Sequence, residues 1–240
     1  MVLPQKHKVL TGHHLAQQTK TMKKLAIFDL DGTLIDSVAD LAQATNYALS
    51  QYGYPTHPTD AYRFFVGNGI NKLFERALPE GEKSMDNVMK IRQAFIPYYN
   101  VHNRDFTRPY PGIVNMLETL QNAGVVLAIA SNKYMEATTQ LVKSYFPHIQ
   151  FACVLGQREG VKPKPDPQIV YDIIEATKIE HNDIIYIGDS NVDMLTAKNA
   201  QLPSIGVTWG FRPSSELQES GATYIASTAE EIVEIILKNE

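Results

Sequence analysis

The chain has 240 residues, and its 22 lysines and arginines against 26 aspartates and glutamates give a net charge of −4. Hydrophobic residues make up 44% of the chain and charged residues 20%, which is typical of a soluble globular protein and excludes a disordered chain, a collagen-like repeat or a coiled coil. Because the chain has no basic excess, we do not expect a nucleic acid partner. Membrane insertion is not expected either, since apolar runs such as Val125 to Ala130 are far shorter than the ~20 residues of a membrane helix.

The cysteine content and the first residues bear on location. The single cysteine, Cys153, cannot form an internal disulfide, which favours a reducing compartment and predicts a cytoplasmic protein. Residues 1–21 contain no acidic residue, no arginine and no apolar core, so they fit neither a signal peptide nor a typical transit peptide. We expect 1–21 to be a disordered N-terminal extension, with Met22 as a candidate start.

The first strand is followed by a helical region. The apolar run Leu25 to Phe28 predicts a buried strand that ends at Asp29. Ser37 is a candidate N-cap for a helix, and between Pro55 and Arg108 the sequence shows no strand alternation. The helices predicted in this region cover residues 37–52, 59–65, 68–78 and 82–103. The turn cluster Pro-Tyr-Pro-Gly at 109–112 then predicts a hinge.

After the hinge, strands alternate with helices. Strands are predicted at 125–130, 151–155, 184–187 and 204–207, and helices at 112–123, 135–145, 167–177, 191–200 and 228–238. Apolar strands separated by helices are typical of a parallel sheet covered on both faces. We therefore predict an α/β fold with a Rossmann-like parallel sheet core. Residues 22–36 and 107–240 form the core, and 37–106 form an inserted all-helical cap domain.

Polar residues follow three of the predicted strands. Asp29 and Asp31 follow the first, Ser131 and Asn132 follow the second, and Asp189 follows the isoleucine-rich strand. Any one of them could simply end its strand. In an open parallel sheet, however, ligands bind at the carboxyl ends of the strands, and all three positions meet at that edge. Their clustering indicates a site.

The acidic residues at this edge predict a bound cation. Two like charges about 4 Å apart repel by about 4 kcal/mol at an effective dielectric of about 20. Asp189 and Asp193 add to the repulsion between Asp29 and Asp31, so a cation is needed to hold all four ionised. Ligands that offer only oxygen indicate a hard divalent ion, and open positions for water and phosphate favour Mg²⁺.

Four motifs of the chain resemble those of the haloacid dehalogenase-like hydrolase superfamily. They are D-L-D-G-T-L-x-D-S at residues 29–37, S-N-K at 131–133, K-P-K-P-D-P at 162–167 and G-D-S-x-x-D at 188–193. Their order and their positions at strand ends also match, and the resemblance covers about residues 23–238. The helical cap with V-G-N-G at 66–69 and the run G-V-T-W-G at 206–210 are similar to phosphoglycolate phosphatases in particular.

The resemblance implies three catalytic residues. Asp29 is the nucleophile that takes the phosphoryl group, and Asp31 protonates the leaving alkoxide and then activates water. Dehalogenases proper need no acid at that position, so Asp31 favours a phosphate ester as substrate. Lys162, which matches the motif position while Lys164 occupies a variable one, is expected to neutralise charge between Asp29 and the phosphate.

The resemblance also implies ligands for the phosphate and for Mg²⁺. Ser131 and Asn132 are expected to hydrogen-bond the phosphoryl oxygens, where charge develops in the transition state. The implied metal ligands are the side chain of Asp29, the backbone carbonyl of Asp31 and the side chain of Asp189, with Asp193 in support.

Substrate recognition is assigned to the cap. A substrate with a carboxylate needs a cation in the cap or at its rim, and the sequence does not choose among Arg63, Lys72, Arg76 and Lys133. Of the cap residues, Arg63 and Asn68 are the ones we expect to contact substrate.

Together these features predict a Mg²⁺-dependent phosphatase that hydrolyses a small phosphomonoester through an aspartyl-phosphate intermediate, with 2-phosphoglycolate as the leading substrate. A phosphosugar mutase, a nucleotidase or a pyrophosphatase on the same scaffold is an alternative. A non-catalytic protein that binds a phosphorylated metabolite is another, although it would have no need to keep both Asp29 and Asp31. We expect a monomer or a small homo-oligomer.

Overall fold

The computed structural model describes residues 22–238, so the predicted N-terminal extension, 1–21, lies outside the described residues. In chain order, the strands are β1 (Leu25–Phe28), β2 (Ile35–Asp36), β3 (Arg108–Pro109), β4 (Val126–Tyr134), β5 (Phe151–Gln157), β6 (Ile184–Gly188), β7 (Ser204–Val207) and β8 (Tyr224–Ala226). The α-helices are α1 (Val38–Gln51), α2 (Tyr62–Phe65), α3 (Ile70–Ala77), α4 (Met85–His102), α5 (Ile113–Asn122), α6 (Met135–Tyr145), α7 (Gln168–Thr177), α8 (Asn191–Asn199), α9 (Ser214–Glu219) and α10 (Ala229–Leu237). Between residues 22 and 238, no helix is long and apolar enough to cross a membrane.

Six strands form one parallel sheet in the order β5-β4-β1-β6-β7-β8. The central strand β1 is buried along its whole length. Phe28, its last residue, pairs with Ile129 of β4 and with Ile187 of β6. The polar residues that follow these three positions therefore come to one edge of the sheet.

Helices cover both faces of the sheet, because the side chains of a strand alternate between them. Ala26 and Phe28 of β1 pack into one hydrophobic cluster with α5 and α10. Leu25 and Ile27 point to the other face, where they pack with residues of α7 and α8. The predicted α/β fold with a Rossmann-like parallel sheet is confirmed.

Helices α1 to α4 lie between β2 and β3 in the chain and pack around a separate hydrophobic cluster, which Ala137 and Phe211 also join. Its largest fully buried side chains are Tyr62, Phe74, Phe95 and Tyr99. The antiparallel pair of β2 and β3 brings the entry and the exit of this helical segment side by side. Buried Asp40 of α1 holds the chain just before β3. Its carboxylate accepts hydrogen bonds from the backbone N–H groups of Phe106 and Thr107 and from the Thr107 hydroxyl.

Several elements differ from the sequence-based expectation. Strand β4 continues to Tyr134, with a register shift against β5 between Ala130 and Tyr134, so the S-N-K residues lie within its irregular end. Helix α3 begins at Ile70, because Gly69 has a φ of 83°, outside the helical range. The pair β2–β3, helix α9 and strand β8 were not predicted, since elements of two to six residues are too short to show a periodicity.

Candidate active site

Asp29 lies directly after β1, and its backbone N–H continues the sheet by donating to the Ile187 carbonyl. Its carboxylate Oδ1 lies 2.9 Å from the Lys164 ammonium. Burial raises the pKa of Asp29 to about 7; the Lys164 charge opposes this shift, and the Asp193 and Asp31 carboxylates add to it. Asp29 therefore needs further positive charge nearby to stay ionised as a nucleophile.

The lysine beside Asp29 is Lys164, so the expectation for Lys162 is wrong. The Lys164 side chain is 1% exposed, and its Nζ also contacts Asp193 Oδ1 at 2.7 Å. Lys162 is exposed to solvent. The physical reason is the Asn132 amide, which accepts from the Lys164 N–H at 2.8 Å and donates to the Lys164 carbonyl at 3.1 Å. These two bonds fix the backbone at residue 164 against the sheet edge.

Asp31 lies in the turn after β1, where two side chains donate hydrogen bonds to its carboxylate. Both of its carboxylate oxygens lie 3.0 Å from Lys133 Nζ, and one of them accepts a hydrogen bond from the Ser37 hydroxyl. The turn depends on Gly32, which has a φ of +87°. A Cβ at Gly32 would lie 2.3 Å from Asp189 Oδ2, so only glycine leaves room for that carboxylate.

Three buried carboxylates form the acidic cluster at this edge. Oxygens of Asp29, Asp189 and Asp193 lie within 4.8 Å of one another. Asp189 accepts from the Thr33 hydroxyl and from the Phe211 N–H. Burial, together with the charges of Asp193 and Asp29, raises the pKa of Asp189 well above its ordinary value. An all-oxygen set with this excess of negative charge suits a hard divalent cation.

Asp193 is bound through both of its carboxylate oxygens. Oδ1 binds Lys164 Nζ, and Oδ2 accepts from the Ser190 hydroxyl at 2.6 Å and from the Ser190 N–H at 3.2 Å. The Ser190 bonds form a capping box at the start of α8. Asp193 therefore caps α8 and also positions Lys164 beside Asp29.

A cleft lies between this edge and the helical segment. The motif residues that line it are Asp29, Asp31, Ser131, Asn132 and Lys133. The helical side contributes the apolar residues Leu41, Val66, Ile70 and Leu73, together with Gly67 and Gly69. Ser131 and Asn132 therefore reach the cleft as predicted, although the Asn132 Nδ2 also donates to the Gly67 carbonyl at 2.9 Å.

Arg63 and Asn68, which we expected to contact substrate, are placed elsewhere. The Arg63 guanidinium donates to the Gly210 carbonyl and lies 6.0 Å from the centre of the Phe211 ring. The Asn68 Oδ1 accepts from Arg76 at 2.7 Å, and Asn68 lines a second, more polar cleft that adjoins the first at Gly69. Neither residue lines the cleft that contains Asp29.

Sequence reasoning missed the loop after β7. The Phe211 N–H binds Asp189 at 2.7 Å, and a Cβ at Gly210 would lie 2.3 Å from the Asp189 Cβ. Arg212, the next residue, donates to the backbone carbonyls of Arg63, Phe64 and Val66. The sequence signal was the run G-V-T-W-G at 206–210, which indicated a resemblance but assigned no role to the residues that follow it.

Comparisons with known proteins identify the family of this chain. A family model described as haloacid dehalogenase-like hydrolase matches residues 26–207. A phosphoglycolate phosphatase of Vibrio parahaemolyticus is 32% identical over 218 residues, which cover 89% of this chain and 96% of the relative. One of Psychrobacter arcticus is 33% identical over 222 residues, covering 90% and 96%. A solved structure from Lactobacillus delbrueckii, assigned as a phosphoglycolate phosphatase, superposes with a TM-score of 0.84 at 34% identity, covering 90% and 99%.

The chain therefore belongs to the haloacid dehalogenase-like hydrolase family. Within that family it is an enzyme of the phosphoric monoester hydrolase class and is similar to the phosphoglycolate phosphatases.

Proposed function

We propose that this enzyme is a Mg²⁺-dependent phosphatase that hydrolyses a small phosphomonoester, with 2-phosphoglycolate as the leading substrate. The observation that carries the proposal is the pairing of Asp29 with Lys164 at the carboxyl end of β1, with Asp31 lining the same cleft. The names of the relatives matched along nearly their whole length support the choice of substrate.

In the first step, a carboxylate oxygen of Asp29 attacks phosphorus, and the bond between phosphorus and the ester oxygen breaks. The Lys164 ammonium orients Asp29 and offsets negative charge as the phosphoryl group is transferred. Ser131 offers a hydroxyl to the phosphoryl oxygens from the adjoining strand end. Asp31 gives its proton to the departing alkoxide.

The second step returns the enzyme to its starting form. Asp31, now ionised, takes a proton from a water molecule, and the resulting hydroxide attacks the phosphorus of the aspartyl phosphate. The acyl phosphate bond breaks, inorganic phosphate leaves, and Asp29 is again a carboxylate. One water molecule is consumed for each ester hydrolysed.

The acidic cluster fits Mg²⁺ by its donor chemistry. The Asp29 and Asp189 carboxylates and the Asp31 backbone carbonyl would hold the ion, and Asp193 would support it through Lys164. When bound, Mg²⁺ supplies positive charge that keeps the carboxylates ionised and draws the phosphate to the site.

The walls of the cleft favour a small ester. On its cap side the cleft presents Leu41, Val66, Ile70 and Leu73, which offer no hydrogen bonds to the hydroxyls of a sugar. The adjoining polar cleft, lined by Asn71, Arg92 and Tyr134 among others, favours a larger leaving group and so keeps a nucleotidase or phosphosugar enzyme as the second candidate. Turnover of a panel of phosphate esters would decide between the two.

The test of the mechanism separates Asp29 from Asp31. With an aryl phosphate the leaving group departs without a proton, so Asp31→Asn should still be phosphorylated. Its second step lacks a base and should slow by roughly 10²–10⁴-fold. Intact mass after rapid quenching should therefore show one phosphoryl group on Asp31→Asn and none on Asp29→Asn, which lacks the nucleophile.

Asp60→Asn is the matched control, because the Asp60 side chain is 95% exposed on the cap. It should turn over normally and show no adduct. An adduct on Asp29→Asn, or normal turnover by that variant, would refute the assigned roles.

A further inference from the structure

Lys133 is a buried cation that the steps above do not use. Its side chain is 2% exposed, and its Nζ is bound by both carboxylate oxygens of Asp31 at 3.0 Å. The same ammonium lies 4.9 Å from the centre of the Tyr99 ring, which comes from helix α4. Lys133 thus lies between Asp31 and the helical segment, and it lines the cleft.

The other candidate cations are engaged away from this cleft. Arg76 donates to the backbone carbonyls of Phe64 and Phe65. Lys72 is exposed and paired with Glu75 at 2.8 Å, and Arg63 binds the Gly210 carbonyl. Among residues 22–238, Lys133 is the cation that lines the cleft with Asp29.

Lys133 lies within reach of a short substrate. Asp31 must come within about 2.6–3.2 Å of the ester oxygen to transfer a proton to it. Because Lys133 Nζ lies 3.0 Å from that carboxylate, it lies within about 6 Å of the ester oxygen. An anionic group one carbon away from the ester oxygen can therefore contact Lys133, whereas the apolar residues of the cap side offer it no partner.

We infer that Lys133 selects substrates that carry a second anionic group close to the phosphate ester. In the free enzyme the Lys133 ammonium pairs with Asp31, and in the complex it also contacts the carboxylate of the substrate. The Tyr99 ring stays beneath the ammonium in both arrangements and stabilises its charge. The inference rests on the proposed function and names its substrate class, the phosphate esters of short hydroxy acids.

The test compares 2-phosphoglycolate with its carboxamide, which has the same ester and nearly the same shape but no second charge. The measured quantity is the ratio of kcat/KM for the carboxylate to kcat/KM for the carboxamide. Removing one partner of a buried charge pair is costly, so Lys133→Met should lower this ratio by about 10²-fold. Lys133→Arg keeps the charge and should retain a ratio at least about tenfold above that of Lys133→Met.

Lys72→Met is the matched control, since it removes an exposed lysine of the cap, and it should leave the ratio unchanged. The ratio is measured within one preparation, so a partly unfolded variant does not distort it. A merely structural role for Lys133 would lower both rates equally and leave the ratio as in the wild type, which would overturn the inference.

The outcomes also separate this inference from the proposed function. A wild-type enzyme that prefers the carboxylate, together with a Lys133→Met variant that keeps the preference, refutes the role of Lys133 alone. A wild-type enzyme that hydrolyses an aryl phosphate but prefers neither member of the pair refutes the substrate assignment and the inference with it.

Discussion

Lys164 is a buried lysine that remains charged. Burial alone would lower the pKa of its ammonium, but the Asp193 and Asp29 carboxylates outweigh this and raise it well above its ordinary value. Its Nζ also donates to the Ala130 carbonyl and the Tyr186 hydroxyl. Lys164 is thus a fixed positive charge against Asp29, and its loss would leave two buried carboxylates without their cation.

Replacing each lysine of the K-P-K-P run separately tests this assignment. Lys164→Met should lower kcat/KM for an aryl phosphate by about 10²-fold or more, because transition-state charge loses a preorganised partner. It should also lower the free energy of unfolding by about 3–5 kcal/mol, the usual cost of breaking a buried ion pair.

Lys162→Met is the matched variant, two residues away and exposed to solvent. Its kcat/KM and its melting temperature should stay close to the wild-type values. A larger loss of activity in Lys162→Met than in Lys164→Met would restore the motif-based assignment.

The loop after β7 connects the acidic cluster to the helical segment. Phe211 donates to Asp189, and its neighbour Arg212 donates to carbonyls of residues 63–66. Arg63 returns a hydrogen bond to the Gly210 carbonyl. Together with the bond from Asn132 to the Gly67 carbonyl, these contacts hold segment 63–67 over the cleft from two sides.

Arg212→Gln should loosen this segment without touching the reacting groups. Hydrogen bonds from a charged group contribute about 1.5–3 kcal/mol each when buried, and part of this is regained from water. We expect kcat/KM for 2-phosphoglycolate to fall by about tenfold. The effect on a small aryl phosphate should be weaker, because its binding depends less on the helical segment.

Amide hydrogen exchange gives the structural readout. Exchange should rise at residues 63–67 in Arg212→Gln and should stay unchanged in Arg104→Gln, which removes an exposed arginine bonded to Ser144. Unchanged exchange at 63–67 would show that Arg212 does not hold the segment.

The sequence could predict those features that local patterns encode. The buried run Leu25–Phe28 and the polar residues after it placed Asp29 and Asp31 at a sheet edge, and the structure has them there. The choice between Lys162 and Lys164 was not local, since it depends on hydrogen bonds from Asn132, about thirty residues earlier in the chain. The hydrophobic periodicity of the sequence does not predict such a long-range contact.

The cations considered for substrate recognition show the same limit. Arg63, Lys72, Arg76 and Lys133 are equivalent as sequence letters, and only their partners distinguish them. Lys72 pairs with Glu75, three residues later in the chain. Lys133 pairs with Asp31, which the fold brings to it from a distant part of the chain. Pairing of this kind requires the assembled sheet and cap.

The molecule as a whole contains a charge imbalance at its centre. Oxygens of three buried carboxylates, Asp29, Asp189 and Asp193, lie within 4.8 Å of one another, and the Lys164 ammonium contacts Asp29 and Asp193. The metal-free folded state therefore favours protonation, which raises the pKa values of both Asp29 and Asp189. A divalent cation would remove the imbalance. Binding of the metal, binding of protons by the carboxylates and the free energy of unfolding should therefore depend on one another.

The metal-free protein should lose stability as pH rises. Asp29 has its pKa raised from 3.8 to about 7, so the folded state binds more protons than the unfolded state between these values. The free energy of unfolding then falls across that interval, and the raised pKa of Asp189 extends the fall to higher pH. Mg²⁺ binds the ionised carboxylates and should stabilise the fold more at pH 8 than at pH 5.

Melting temperatures of chelator-treated protein, with and without added Mg²⁺, measure both effects. Asp189→Asn should weaken both, and an equal Mg²⁺-induced shift at the two pH values would contradict the linkage.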